Sequence, residues 1–498
     1  MGSGKKIASG VIWHTLVNIV NAIYGFIAVP ILINYFGKAE YGLIGLAMSV
    51  NVYMRLMDLG FNSTNVRFFS TWLSKKEHDK LKRGFQTSLS FYGTIGLINA
   101  MILLGIALFS GSIFNVTPEQ DDILKHLFYI LAVSAFCSWF SSCFDQLIKS
   151  TENVAWLQKR SLVTKLLMVA VLAATVCGKL SIELYYALTC LAALVIVPLS
   201  IKKIKLEVPY ISFLPKWDWA SLKEMLPYCM NIFSFSLFQF SFYNLRPVFL
   251  GMQGTVESVA DYRILNGIVH IVVVMGGAFT GVLLPSTSKV VATNNLNAFY
   301  KVAYNGTKYI SILLCFCCFG MMTIGSEALT IYVGEEYLYL IPWLNVWLLC
   351  TLGSHNQAIS SLILAGNDVR ALSYSSAAAS IVGLILSWLL IPSYQIGGVC
   401  IAFVVYIIMQ MLFYYCYYWP KKMKINSIKV FAYDFAPYVL LGLFLYVALQ
   451  KILNIDFIVY RLVVKGSLFA VAYVICVFFM ISNEDKEFFL KVFKKKKK

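Results

Sequence analysis

Asn51, Arg55, Asp58 and Asn62 recur at spacings of four, three and four residues, which puts them on one face of an α-helix. The run around them is otherwise apolar enough to cross a membrane. An arginine at mid-bilayer costs about 2.5–3.5 kcal/mol on insertion scales, so charge inside such a run points to a wet interior and to function. Three more stripes follow the same rule. His14, Asn18, Asn21 and Gly25 mark the first apolar span, and Ser236, Gln239, Tyr243 and Arg246 the seventh. Arg263, Asn266, His270, Gly277 and Gly281 mark the eighth. The chemistry these residues offer is a polar path through the membrane, with three arginines against one aspartate on its faces, a balance that suits an anion.

The elements that must position them are membrane helices. Of 498 residues, 59% are hydrophobic and 13% charged, against about a quarter charged in a soluble domain. Apolar runs of bilayer-spanning length recur from residue 7 almost to the C-terminus, and no gap holds a soluble catalytic domain. Fourteen spans are expected, the second over 41–66, the seventh over 225–250 and the eighth over 259–285. The Lys5-Lys6 pair precedes a run too long for a cleavable leader, so it opens a retained first helix. With the N-terminus inside, 30 of the 41 lysines and arginines fall on the inner side and five at outer edges. That asymmetry places both termini inside and accounts for the net charge of +17. A nucleic-acid role has no support. The Lys494–Lys498 tail suits anionic headgroups of the membrane lipids.

A weak internal repeat divides the chain. Pro30, Gly37 and Glu40-Tyr41 are matched by Pro247, Gly254 and Asp261-Tyr262. The offset of six spans predicts two six-helix bundles related by pseudo-symmetry around a central cavity, followed by two more helices. The expected divisions are a first bundle over 1–201, a cytoplasmic linker over 202–224, a second bundle over 225–418, and the last two helices with a basic tail over 419–498.

Within the stripes, Arg55 lies near the middle of the second span, where lining the cavity and pairing with Asp58 one turn away are both open. Arg246 and Arg263 lie within two turns of the outer face, where lining the cavity and reaching the headgroups are both open. Asp261 is placed to meet Arg246 across the turn between the seventh and eighth spans. Arg67 and Lys165 lie near the inner surface and point toward it. His14 and His270 lie on the polar stripes, and with Asp58 and Asp261 they are the candidates for coupling to an ion. Asp434 and Lys465 are expected to pair in the last two helices, a structural role. Asn345, His355 and Gln357 are lesser cavity candidates. The twelve cysteines lie in or at the ends of apolar spans, including Cys315, Cys317 and Cys318, and read as packing residues. No metal site and no cofactor are expected.

Tyr41-Gly42 opening the second span, followed by Met57-Asp58-Leu59-Gly60-Phe61 and Arg67, resembles bacterial polysaccharide flippases of the O-antigen and capsule type. These belong to the multidrug/oligosaccharidyl-lipid/polysaccharide exporter superfamily. The resemblance implies an all-α membrane protein of two six-helix bundles with a V-shaped cavity, in the inner membrane. It implies that the cavity accepts the diphosphate-linked glycan of a polyprenyl carrier and that the lipid tail runs in a groove near the last helices. Carried onto this chain, the binding residues are Arg55, Arg246 and Arg263, with Asn51, Asn21, Gln239, Tyr243 and Asn266 beside them. A polysaccharide polymerase and other assembly proteins are the implied partners.

Two other functions compete. A cation-drug antiporter of the same superfamily needs a carboxylate in its cavity, and the stripes hold three arginines against Asp58. A polyprenyl-linked glycan polymerase or ligase needs a sizeable outer loop. The longest here, about 111–121 and 326–338, hold few candidate groups, so the chain is not expected to be an enzyme.

Overall fold

The computed structural model describes residues 3–273, 296–365, 369–452, 457–482 and 486. Among them there is no strand. Helices α1 (Ser3–Phe36), α2 (Lys38–Met54) and α3 (Phe61–Ser74) open the chain, followed by α4 (His78–Leu108), α5 (Pro118–Ser150) and α6 (Val154–Gly178). Next come α7 (Ile182–Leu194), α8 (Val197–Glu207), α9 (Trp219–Gln253), α10 (256–273) and α11 (Leu296–Val333). The last third holds α12 (Ile341–Thr351), α13 (Gln357–Ala365), α14 (Val369–Tyr394), α15 (Ile396–Leu412), α16 (Ala436–Ile452) and α17 (Ile458–Met480). Helix α15 runs on as a π-helix over Phe413–Met423, and a second π-helical stretch, Val430–Phe435, leads into α16.

Eleven described segments are helical, long and apolar enough to cross a bilayer. The chain is a multi-pass membrane protein. Three of the fourteen expected spans are not among the eleven: 41–66, 225–250 and 259–285. These are the three that carry Arg55, Arg246 and Arg263. The second is broken in two, the seventh lies within α9, and the eighth leaves the described residues after 273, taking Gly276, Gly277 and Gly281 with it.

The chain divides into two compact units, residues 1–264 with 376–399, and residues 265–375 with 400–498. In the first, α4 packs along α5, α1 along α6, and α2 against α9. Its core is aromatic, with Phe61, Phe69, Trp72, Phe85, Tyr92 and Trp139 all buried. Glycine lets α2 approach the start of α10 closely: a Cβ on Gly42 would lie 2.2 Å from the Val256 carbonyl oxygen. In the second unit α11 is the hub, flanked by α12, α13, α16 and α17.

The second span was expected as one helix. It ends at Met54, tightens into a 3-10 turn over Arg55–Asp58, and reverses through Leu59 (φ 50°) and Gly60 (φ 82°), both left-handed, before α3 begins. Gly60 takes that conformation at no steric cost. The Asp58 carboxylate accepts the Asn62 backbone N–H at 3.0 Å, a cap that Gly60 cannot supply.

Gly42→Ala drives a methyl into backbone that cannot give way, an overpacking expected to cost about 1–3 kcal/mol. Gly105, with nothing within 4 Å of a built Cβ, is the control. Thermal melts of the detergent-purified protein should show a lower Tm for Gly42→Ala and an unchanged or higher one for Gly105→Ala.

Candidate functional site

The broken second span faces α5 across a polar cleft of about 350 Å³. Asn51, Arg55, Asp58 and Asn62 line one wall, so the break preserves the shared face that the spacing implied. The opposite wall is Ser138, Trp139, Ser142 and Asp145 of α5. These repeat the four-then-three spacing of the second span, a signal in the fourth span that the sequence reading passed over.

Both carboxylates in the cleft are already engaged. Asp58 accepts the Tyr92 hydroxyl at 2.5 Å on one oxygen and the Asn62 N–H on the other. Asp145 takes both Nη groups of Arg160 at 2.6 Å, and Arg160 also donates to the Ser200 hydroxyl. This is the fork-on-carboxylate geometry that gives the strongest side-chain pairs. Arg55 differs from Arg160. It is exposed in the cleft and makes no hydrogen bond or ion pair among the described residues. The cleft therefore holds one guanidinium without a hydrogen-bonded partner, in the electrostatic field of the nearby Asp58 carboxylate, with amides and hydroxyls around it.

Behind Asp58 runs a buried chain of donors. Asn65 Nδ2 donates to Gln146 Oε1 at 2.6 Å, Gln146 Nε2 donates to the Tyr92 hydroxyl oxygen at 2.6 Å, and Tyr92 donates to Asp58. Ser88 donates to Asn65 Oδ1 at 2.9 Å. Every member lies among the aromatic core residues, where an unmade hydrogen bond is expensive. The chain fixes where the helix breaks, and so where Arg55 stands.

Arg263 lies along the same helix. Its Nε donates to the Tyr41 hydroxyl at 3.2 Å, its aliphatic stem fills the space left by Gly45, and its Nη1 reaches Met48 Sδ at 3.7 Å. Met48 and Arg55 are seven residues apart on one face of α2, about 10 Å along the axis. Arg246 has a different setting. It is 2% exposed, with its guanidinium 5.0–5.7 Å from the ring centres of Phe242, Tyr243 and Tyr262. That is a cation–π cage and not a reach toward headgroups. Asp261 pairs with Lys38 at 2.7 Å, tying α10 to the first residue of α2.

Asn21 is half-buried on α1; Gln239 and Tyr243 are exposed on α9. Asn266 and His270 are exposed on α10 and fall in the second unit. The His14 side chain lies outside the described residues. The expected Asp434–Lys465 pair is not formed. Lys465 instead donates to Glu327 of α11 at 2.8 Å, with Arg461 3.5 Å from the same oxygen. Glu327 is 2% exposed, and a charge so buried needs the nearest available cation. His355 is buried, with Nδ1 2.9 Å from the Leu352 carbonyl oxygen and Nε2 2.5 Å from the Tyr415 hydroxyl. No cluster that could hold a metal occurs among the described residues.

Residues 7–291 match the polysaccharide biosynthesis protein family. The chain belongs to that family. No curated protein matches it. Among solved structures, it is similar to a lipid II flippase MurJ in an inward closed conformation, with a TM-score of 0.69 at 14% identity, covering 93% of this chain and 98% of that one. It is also similar to an inward-facing multidrug resistance MATE transporter of the MOP superfamily, with a TM-score of 0.59 at 14% identity over 87% and 96% of the two chains. This chain thus shares its fold with those two proteins.

Gln146→Leu leaves the buried Asn65 Nδ2 without its acceptor and takes one donor from the Tyr92 hydroxyl oxygen, and about 1–3 kcal/mol is expected for a buried polar group so stranded. A clear drop in Tm should follow, read by fluorescence-detected melting in detergent. Replacing the half-buried Ser142, which faces the cleft, by Ala should leave the melt unmoved.

Proposed function

We propose that this protein is a flippase that carries a polyprenyl-diphosphate-linked oligosaccharide from the cytoplasmic to the outer leaflet of a bacterial inner membrane, for surface polysaccharide synthesis. The observation that carries this reading is Arg55: a cation placed by a broken membrane helix in a polar cleft, exposed and with no hydrogen-bonded carboxylate among the described residues. A diphosphate-sugar headgroup cannot cross about 30 Å of hydrocarbon unaided. Arg55, with Arg263 further along the same face of α2, is suited to the phosphates. Asn51, Asn62, Ser138 and Ser142 are suited to sugar hydroxyls, and Trp139 to a sugar face. The family match and the likeness in fold to a lipid II flippase support a lipid-linked cargo.

In this reading the chain has fourteen membrane helices with both termini inside. Two bundles, 1–201 and 225–418, are joined by the 202–224 linker and rock about the site in alternating access, with 419–498 added. Arg246, Asn21, Gln239, Tyr243 and Asn266 are further contacts along the path. Asp58, Asp261, His14 and His270 are the residues to examine for coupling. A polymerase that consumes the flipped product is the expected partner. The MATE fold and the carboxylate of Asp58 favour a cation-drug antiporter as the second reading, but Asp145 is neutralised by Arg160 and each Asp58 oxygen already accepts a hydrogen bond, and the stripes hold three arginines against that one aspartate.

Purified protein in vesicles, offered a labelled polyprenyl-diphosphate oligosaccharide, should expose the sugar to an external lectin over time. Arg55→Glu should abolish that exposure. Arg55→Lys, which keeps the charge and loses the fork, should retain part of it. Efflux of a cationic dye without lectin access would establish the antiporter instead.

A further inference from the structure

The linker after α8 is not a loose connector. Its inner side is fastened to the core: Val208 and Ile211 are buried, and Phe213 packs edge-on to both Phe85 and Phe144. Gln86 Nε2 donates to the Leu214 carbonyl at 3.0 Å, the Lys216 N–H donates to the Gln86 carbonyl at 3.3 Å, and the Asp218 N–H donates to Thr87 Oγ1 at 3.1 Å. Asp218 then caps α9, with the Ser221 hydroxyl donating to it at 2.6 Å; this bond holds its carboxyl below the usual carboxylate range.

What this scaffold presents outward is apolar. Leu214 is 75% exposed, Trp219 67% and Trp217 44%, and the two indoles stack at 5.9 Å. Exposed Leu206 ends the adjoining helix, where Lys205 sits over the Phe213 ring at 5.9 Å. A rigidly held cluster of large apolar side chains facing outward marks an interaction surface. The same stretch of chain carries Lys202, Lys216 and Lys223, none paired with a carboxylate among the described residues. Stacked tryptophans in a lysine-bearing segment match the interface of an anionic leaflet, where indoles settle at headgroup depth and each lysine gains from the surface potential.

We propose that Leu206, Leu214, Trp217 and Trp219 form an interfacial foot that seats this linker in the headgroup region of an anionic lipid leaflet. The foot holds the start of α9 at a fixed depth, and it is independent of which cargo the protein moves.

The test uses the full-length protein in mixed vesicles and the emission difference between wild type and the Trp217→Phe/Trp219→Phe variant. That difference should be strongly quenched by acyl-brominated phosphatidylglycerol, less by brominated phosphatidylcholine, and little by aqueous acrylamide. Lys202→Gln/Lys216→Gln/Lys223→Gln should remove the preference for the anionic lipid. Quenching by acrylamide with none by bromine overturns the foot. Equal quenching by the two brominated lipids overturns the anionic-lipid assignment.

Discussion

The grip on the Asp58 carboxylate is the interaction on which the site depends. Tyr92 holds one oxygen and the Asn62 backbone N–H the other. Together they allow a membrane helix to stop at Met54, turn through two left-handed residues and restart at Phe61. Backbone groups freed by a break within hydrocarbon must find partners inside the protein, and a carboxylate one turn before the restart supplies one. The relay through Gln146 and Asn65 extends that anchor across α3, α4 and α5. The polar groups of the cleft are therefore held by a core that is itself aromatic and closely packed.

Charge is distributed unevenly by design of the packing. Asp145 is neutralised by Arg160, Asp261 by Lys38, and Glu327 by Lys465 with Arg461. Arg246 is set among aromatic rings and Arg263 against Tyr41. Against this background Arg55 stands out: among the described residues it has no hydrogen-bonded partner, and charge within an apolar run points to function.

What could be read from the sequence was what helical periodicity carries. Asn51, Arg55, Asp58 and Asn62 were recognisable as one wall because the 3.6-residue period survives a short 3-10 turn. The opposite wall was legible by the same rule, through Ser138, Ser142 and Asp145, but serines in an apolar run give a weaker signal than an arginine does. Contacts between distant segments were out of reach. Lys465 was matched to Asp434, its neighbour in the chain, whereas packing brings it to Glu327, 138 residues away. The Gln146 relay joins four segments with no shared spacing. The break itself lies in Leu59-Gly60, where glycine permits the turn but only the Asp58 cap and the core behind it require it.

The account turns on Arg55 recognising an anionic headgroup. Equilibrium binding of a short-chain prenyl-diphosphate saccharide to the purified protein, set beside the same saccharide without the diphosphate, measures this directly. Charge-assisted hydrogen bonds of about 1.5–3 kcal/mol predict that wild type prefers the diphosphate form by roughly tenfold or more, and that Arg55→Glu loses the preference. Equal affinity for the two ligands, or a preference untouched by the substitution, would contradict it.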